Sequence, residues 1–411
     1  MYYRRETYLA RIMPFADTEC VKVLTGMRRC GKSTMLRMIM DELVSMGRSP
    51  ASMVHIDLDS RESADIASWT DLYDRVERGA RSAGGRAYVF LDELQNVDGW
   101  ERCVRALVTD LDVDVYITGS SSKMLSGELA THIAGRYVEF EVRPFSFSEV
   151  LGLRESEGVR EDPEEAFEKY LRYGGMPMVV KLGMEGDDAR SALRAMYDSV
   201  VKNDVLSRGR VRRTELLEEV LGYAMSEIGH PVSSTNISNY LKSQGRGAAA
   251  DTVLEYLGAA EDAMFIRKVR RRDLRGRGVL TTDYKYYMTD LGIRQAMGMD
   301  NFRDIDQALE NVVYNELVAR GYDVTVGRAG GREVDFVADR GGTREYYQVC
   351  YLLSGEGTAE REFGAFEGIR DGHPRFVLSM DRVDRGRDGV THRNIVEWLS
   401  EGPRRRAPAL V

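Results

Sequence analysis

Short apolar runs alternate with longer segments of helical periodicity along the first 150 residues of the chain. The run Val21–Thr25, for example, is followed by apolar residues at positions 35, 36, 38, 39 and 43, which is the spacing of one helix face. The pattern predicts five strands, at 21–25, 53–58, 87–91, 113–118 and 137–142. Strands that alternate with helices are typical of a parallel sheet covered on both faces, so residues 1–150 are predicted to form an α/β domain.

The pattern changes twice in the remaining residues. Residues 151 to about 205 have helical periodicity and an acidic surface. Between 211 and 300 the pattern predicts three helices and then two strands around a basic turn, which is the order of elements in a winged helix. The helices are predicted at 214–227, 233–243 and 248–260, the strands at 263–269 and 284–288, and the turn at 270–278. Residues 301–411 are predicted to be α/β, with these elements in order: helix 306–320, strands 322–326, 332–338 and 345–351, helix 359–370, and strand 375–380.

Length and composition exclude several classes of protein. At 411 residues the chain is too long for one hydrophobic core, so two to four domains are expected. No segment reaches the ~20 apolar residues of a membrane span, and no apolar segment typical of a signal peptide follows the basic pair Arg4 and Arg5. The four cysteines are scattered, which argues against a disulfide framework or a zinc site and predicts a reducing, cytoplasmic location.

The segment after the first predicted strand carries the strongest chemical signal. It reads Gly26-Met27-Arg28-Arg29-Cys30-Gly31-Lys32-Ser33-Thr34 and leads into a predicted helix. A strand, a glycine loop and a helix N-terminus form a phosphate cradle, because the glycines let backbone N–H groups turn inward. Lys32 is predicted to reach the β- and γ-phosphates of ATP, and the Ser33 hydroxyl to bind Mg²⁺.

Three later positions complete the predicted site. The apolar strand 87–91 ends in Asp92 and Glu93, which are predicted to hold Mg²⁺ and to polarise the attacking water, respectively. Ser120 opens a serine cluster at the end of another strand, where its hydroxyl would contact the γ-phosphate or water, or else cap the next helix. Arg136 is a candidate arginine finger, in cis or on a neighbouring subunit, or else forms a surface salt bridge.

Several short motifs resemble a family of bacterial and archaeal AAA-type ATPases whose C-terminal domain has a restriction-endonuclease-like fold. The matching segments run nearly from end to end: 23–29, 91–95, 116–120, 126–130, 135–137, 144–147, 174–177, 237–244 and 285–292. The resemblance implies a parallel sheet of the AAA type, a helical lid at 151–210, a winged helix at 211–300 and a nuclease-like domain at 301–411.

The same resemblance implies a metal motif in the last domain. The predicted helix contains both Glu310 and Glu316, and Glu316 is assigned as the helix ligand, with Asp335 and Gln348 as the strand ligands. The position of the catalytic lysine is taken by Cys350, which supplies no cation, so the domain is interpreted as a degenerate nuclease. Arg361 is a candidate for restoring the missing charge.

Charge leaves the partner open. The chain has a net charge of −8, yet residues 267–277 are strongly basic. Residues 248–277 are therefore a candidate site for duplex DNA, although the third helix is poor in residues that read bases. The alternative is that the predicted winged helix serves in packing or dimerisation, so the chain could also form a homo-oligomer. Three functions follow: an ATP-driven switch or motor on DNA, an ATP-binding regulator of a protein partner, and an ATP-gated nuclease.

Overall fold

The computed structural model describes most of the chain, in five segments: residues 2–120, 135–206, 213–274, 279–329 and 331–402, with the side chains of 279–283 and 356 left out. The chain divides into two compact units. The first comprises Met1–Arg143 with Asp262–Met264, and the second comprises Pro144–Glu261 with Phe265–Val411.

The first unit is built on a sheet of five parallel strands in the order β2-β3-β4-β1-β5. These strands are β1 (Val21–Thr25), β2 (Met53–Asp57), β3 (Ala87–Asp92), β4 (Val113–Gly119) and β5 (Tyr137–Glu141). The helices are α1 (Glu6–Ile12), α2 (Lys32–Ser45), α3 (Trp69–Ser82) and α4 (Trp100–Asp110). The predicted parallel α/β sheet is confirmed, and β4 lies between β1 and β3.

Alternation along the central strands explains why helices cover both faces of this sheet. Val89 and Leu91 pack in one core with the buried faces of α3 and α4. Tyr88 and Phe90, from the same strand, pack in a second core with α1 and α2. Since successive side chains of a strand point to opposite faces, a fully apolar strand must be covered twice.

The second unit begins with helices. They are α5 (Phe147–Ser156), α6 (Pro163–Tyr173), α7 (Pro177–Lys181) and α8 (Gly186–Ser199), followed by a π-helical turn at Val200–Leu206. Polar caps define where two of them start. Ser146 and Glu149 form a reciprocal capping box at α5, and Asp162 accepts backbone N–H bonds at α6, whose first residue is Pro163.

Three more helices and three strands follow in the second unit. The helices are α9 (Thr214–Ser226), α10 (Ser234–Ser243) and α11 (Ala250–Asp262); the strands are β6 (Pro231–Val232), β7 (Ile266–Asp273) and β8 (Val279–Met288). Both long strands exceed their predicted lengths. Residues 270–273, predicted as turn, are strand, because Arg271 and Arg272 pair with Val326 and Gly327.

The last part of the chain completes an eight-stranded sheet in the order β13-β12-β11-β10-β9-β7-β8-β6. Its elements are α12 (Leu291–Ala296), α13 (Ile305–Ala319), β9 (Asp323–Ala329), β10 (Arg332–Arg340), β11 (Thr343–Val349), α14 (Glu356–Gly364), β12 (Arg375–Ser379), β13 (Thr391–Asn394) and α15 (Ile395–Ser400). Strand β13 and helices α12 and α15 were not predicted. Helix α13 packs on β8, β9, β10 and β11.

A buried carboxylate joins two of the motifs that carried the family resemblance. Asp290 caps α12 and accepts N–H bonds from Gly175 at 2.8 Å and from Gly292 at 2.9 Å. A Cβ at Gly174 would lie 2.0 Å from Asp290 Oδ1, so the glycine pair lets the backbone close around this carboxylate. Burial raises the pKa of Asp290 to about 6, against the lowering effect of the N–H bonds.

Candidate functional site

The glycine loop connects the carboxyl end of β1 to α2. Gly26, Arg29 and Gly31 all have positive φ, at 152°, 66° and 107°. A Cβ at Gly26 would lie 2.2 Å from the carbonyl oxygen of Val142, so only glycine fits there. The Cys30 thiol is buried against the same carbonyl at 3.0 Å, and burial raises its pKa.

The loop curls around the ammonium group of Lys32. Lys32 Nζ lies 3.1 Å from the carbonyl oxygen of Gly26 and 3.3 Å from that of Met27, and the residue is 3% exposed. Since Lys32 is the first residue of α2, its ammonium group adds to the partial positive charge of the helix N-terminus. Of the other predicted cradle residues, Arg29 is exposed, whereas Arg28, Ser33 and Thr34 are half-buried.

The acidic pair lies at the carboxyl end of β3. Asp92 is 2% exposed and accepts a hydrogen bond from the Thr118 hydroxyl on β4. The same hydroxyl oxygen accepts the backbone N–H of Glu93 at 2.9 Å. Glu93 Oε1 lies 3.6 Å from Lys32 Nζ, so the structure brings together the ammonium and carboxylate groups that the sequence separates by 60 residues.

Strand order explains a contributor that sequence reasoning missed. Because β4 lies between β1 and β3, Thr118 reaches the end of β3 and fixes both acidic residues. The signal was present in the sequence as a buried hydroxyl at the end of an apolar strand. Gln95 is a second missed residue: its Nε2 donates to Glu93 Oε2 and lies 3.4 Å from the Ser120 hydroxyl. Ser121 and Ser122, also in the predicted cluster, lie outside the described residues, as does the motif at 126–130.

Arg136 lies at the other edge of the sheet. Its carbonyl oxygen accepts the N–H of Val21 at 2.8 Å, so Arg136 is beside the first residue of β1, whereas the glycine loop follows the last. The 5 residues of β1 separate these ends by about 13 Å. Arg136 is exposed and lines a polar cavity of about 310 Å³ with Arg86. Of the two alternatives for Arg136, this separation disfavours action in cis, and action on a neighbouring subunit stays a prediction.

The donor groups fit a nucleotide with Mg²⁺. Oxygen ligands suit this ion, and Ser33 and Asp92 supply a hydroxyl and a carboxylate. Within the described residues no group of three or more His, Cys, Asp and Glu side chains could hold a metal ion. A site with few protein ligands is what Mg²⁺ requires when phosphates and water complete its coordination.

The predicted nuclease-like ligands need one correction. Glu316 bonds Arg320 at 2.7 Å, and the guanidinium of Arg320 stacks on Trp398 at 3.9 Å. Glu310, six residues earlier on α13, interacts electrostatically with Asp335. Six residues turn a helix through about 600°, which puts Glu310 and Glu316 on different faces. The helix carboxylate that accompanies Asp335 is therefore Glu310.

A lysine from β8 enters this carboxylate cluster. Lys285 Nζ lies 2.8 Å from Glu310 Oε1 and 2.6 Å from Glu333 Oε1, and its side chain is 3% exposed. Burial alone would lower the pKa of Lys285, but Glu310, Asp335 and Glu333 raise it. Burial, aided by Glu310, raises the pKa of Asp335 well above its ordinary value, although Lys285 opposes this.

The neighbouring strand supplies the polar partner of Asp335. Gln348 Oε1 accepts the N–H of Asp335 at 3.2 Å. Cys350 is buried, which raises the pKa of its thiol, and Arg361 is exposed and bonded to Glu362. The cation beside Asp335 is thus Lys285 and not Arg361. An isolated lysine within the apolar run Tyr284–Met288 was the signal in the sequence.

The basic run is partly neutralised where it is described. Arg271 bonds Glu333 at 3.0 Å and Arg272 bonds Asp339 at 3.1 Å, while residues 275–277 lie outside the described residues. The exposed positions of α11 include Asp251, Leu254 and Glu255, so this helix surface is acidic and apolar.

Comparison with known proteins gives family and fold. A model of an AAA domain matches residues 18–151, and a model of a domain of unknown function matches residues 164–304. An uncharacterized protein of Haemophilus influenzae is 32% identical over 397 residues, which is 96% of this chain and 98% of the relative. An uncharacterized protein of Methanocaldococcus jannaschii is 27% identical over 381 residues, which is 89% of this chain and 80% of the relative.

Among solved structures, the Walker-type ATPase of Pyrococcus abyssi is similar, with a TM-score of 0.50 and 15% identity. The match covers 72% of this chain and 96% of that one. A likeness at this identity shows the fold alone. Among the described residues, no helix has the length and apolar character to cross a membrane.

Proposed function

This chain belongs to the family of the Haemophilus influenzae relative and carries an AAA-type P-loop domain, and on that premise we propose that it binds ATP with Mg²⁺ and hydrolyses it as a nucleotide-driven switch or motor. The observation that carries the proposal is the position of Lys32 Nζ, inside the glycine loop and 3.6 Å from Glu93. A cradle for phosphates and a carboxylate for water meet at the carboxyl ends of parallel strands, where such sheets bind ligands.

Each residue has a distinct role in this proposal. Backbone N–H groups of residues 26–34 and the Lys32 ammonium group bind the phosphates. Lys32 must then leave the carboxylate of Glu93 and bind a phosphate oxygen in its place. Ser33 and Asp92 would hold Mg²⁺, which neutralises charge on the phosphates when bound. Glu93, released from Lys32, accepts a proton from water as the water oxygen bonds to the γ-phosphorus and the bond to the β–γ bridging oxygen breaks.

Two variants test the ATPase proposal. Lys32→Ala is expected to abolish ATP binding, measured by titration calorimetry. Glu93→Gln is expected to retain ATP and to lose turnover by a factor of about 100 to 10,000, the usual contribution of a general base, measured by phosphate release. Arg81→Ala, an exposed change on α3, is the control. Unchanged affinity in the first variant, or unchanged turnover in the second, would remove the assigned roles.

For the partner, charge favours the protein alternative over DNA. The order of α9–α11 and β6–β8 supports the proposal of a winged helix, a fold that can bind DNA through its third helix. Here the exposed part of that helix carries Asp251 and Glu255, which duplex phosphates would repel, and Leu254, which is 48% exposed. Arg271 and Arg272 are paired with carboxylates.

Turnover with and without duplex DNA decides between the partners. If the partner is a protein, duplex DNA should not stimulate ATP turnover at low salt. Replacing Arg270, Arg271 and Arg272 should then leave turnover in the presence of DNA unchanged. Stimulation that falls steeply with salt, and less steeply in the triple variant, would establish the DNA alternative. No nuclease step is proposed, because Lys285 already pairs with the carboxylates of the C-terminal cluster.

A further inference from the structure

Gln95 holds the side chain of Glu93 from a position two residues further along the chain. It lies on the 3₁₀ turn Leu94–Asn96 that follows β3. Its Nε2 donates to Glu93 Oε2 and lies within 3.4 Å of the Ser120 hydroxyl at the end of β4. The other oxygen of Glu93, Oε1, faces Lys32. Glu93 is thus held on one oxygen by a neutral donor and on the other by an ammonium group.

The orientation of the Gln95 amide follows from its neighbours. A carboxylate can only accept a hydrogen bond at neutral pH, so the nitrogen of the amide must face Glu93. The amide oxygen, Gln95 Oε1, is buried and has no hydrogen-bond partner among the described residues. A buried acceptor without a partner is costly, and a purely structural glutamine would be expected to satisfy both ends of its amide.

The backbone of Glu93 is held separately. Its φ and ψ are 53° and 46°, a left-handed conformation that is uncommon for a residue with a Cβ. Its N–H is bonded to Thr118, which also bonds Asp92. Thr118 therefore fixes the backbone of Glu93, and Gln95 fixes the position of its carboxylate group. Left-handed residues of this kind persist where surrounding contacts determine them, and they concentrate at functional sites.

We propose that Gln95 is a positioning residue for ATP hydrolysis, which acts through Glu93 and not on the substrate. This inference rests on the proposed function. When the Lys32 ammonium group leaves Glu93 to bind a phosphate oxygen, the hydrogen bond from Gln95 Nε2 to Glu93 remains. That bond keeps the carboxylate directed at the attacking water. Without it, Glu93 would rotate freely about its side-chain bonds, and the fraction of time in the reactive geometry would fall.

The test compares variants of the full chain for ATP turnover. Gln95→Met keeps the length and volume of the side chain and removes the amide. We expect kcat to fall about 10- to 100-fold, the range for losing a hydrogen bond to a charged group, with KM for ATP unchanged. Asn96→Ala is the matched control, because Asn96 is exposed on the same turn. Lys32→Ala defines the background.

A second variant separates positioning from folding. Gln95→Glu keeps the size of the side chain but puts a second carboxylate beside that of Glu93, and two neighbouring carboxylates repel each other. Glu93 should turn away from the attacking water, so kcat should fall at least as far as in Gln95→Met, with KM for ATP unchanged. A role in packing alone would leave kcat at the parent value, because the volume is conserved.

The possible failures are distinguishable. A parent chain without turnover that depends on Lys32 would remove the proposed function, and this inference with it. Turnover in the parent with an unchanged kcat in Gln95→Met would overturn the role of Gln95 alone. A raised kcat in that variant would also overturn it, because Gln95 would then restrain Glu93 and not position it. So would an unchanged kcat in Gln95→Glu.

Discussion

Lys285→Met should destabilise the second unit more than any other single lysine change in it. The substitution leaves Glu310, Asp335 and Glu333 without the ammonium group that lies 2.8 Å from the first and 2.6 Å from the last. The side chain of Lys285 is 3% exposed, so water cannot replace it without opening the sheet. Removing one partner of a buried ion pair costs about 3–5 kcal/mol.

The pH dependence gives a second readout of the same change. The pKa of Asp335 is raised, so the folded chain binds this proton more tightly than the unfolded chain does, and stability from this group is lost as pH rises above about 4. Lys285 limits that loss, because it lowers the pKa of Asp335. The destabilisation by Lys285→Met should therefore be largest near pH 8 and smaller near pH 5.

Urea unfolding followed by circular dichroism measures both effects. Lys242→Met is the matched control: Lys242 is exposed on α10, where a surface change is expected to stay within about 0.5 kcal/mol. Adding Glu310→Gln to Lys285→Met should restore part of the loss, since it removes one uncompensated charge. Equal midpoints for parent and Lys285→Met at pH 8 would refute the reasoning, and so would a larger loss at pH 5 than at pH 8.

Two further predictions concern other parts of the chain. Arg136→Ala should lower turnover only if chains assemble, and mixing it with Glu93→Gln should recover activity, since each variant would supply what the other lacks; no recovery in a proven oligomer would rule out action on a neighbour. Asp290→Asn should flatten the pH dependence of unfolding between about pH 4 and 6: burial raises the pKa of Asp290 to about 6, so its contribution to stability is lost as pH rises through that range. An unchanged slope in urea titrations of that variant would contradict this cause.

Local patterns were enough to predict the parallel sheet of the first unit and to identify the glycine loop, Asp92 and Glu93 as its candidate site. The glycine loop and the Asp92–Glu93 pair are contiguous in sequence, and β1 and β3 are apolar throughout, so their chemistry could be read without the fold. Thr118 and Gln95 could not, because their contacts with Glu93 depend on β4 lying beside β3 and on the path of a short turn.

Other assignments depended on the direction of a strand or a helix face, which composition does not reveal. Arg136 directly precedes β5. Only the pairing of β5 with β1 reveals that Arg136 lies at the edge of the sheet opposite the glycine loop. Glu310 and Glu316 share one helix, and the choice between them depends on which face meets the sheet. Lys285 was grouped with a different domain from Asp335, because no short-range pattern predicts that β7 and β9 pair.

That pairing has a practical consequence for anyone who divides this protein for expression. Strand β7 is bonded to β8 on one side and to β9 on the other, through residues 271–273. A fragment that stopped at residue 300 would keep β8 and expose the other side of β7 to solvent, with unsatisfied N–H and C=O groups. Open strand edges pair with other chains, so such a fragment is expected to aggregate. A fragment that begins at residue 144, where the second unit begins, would keep all eight strands.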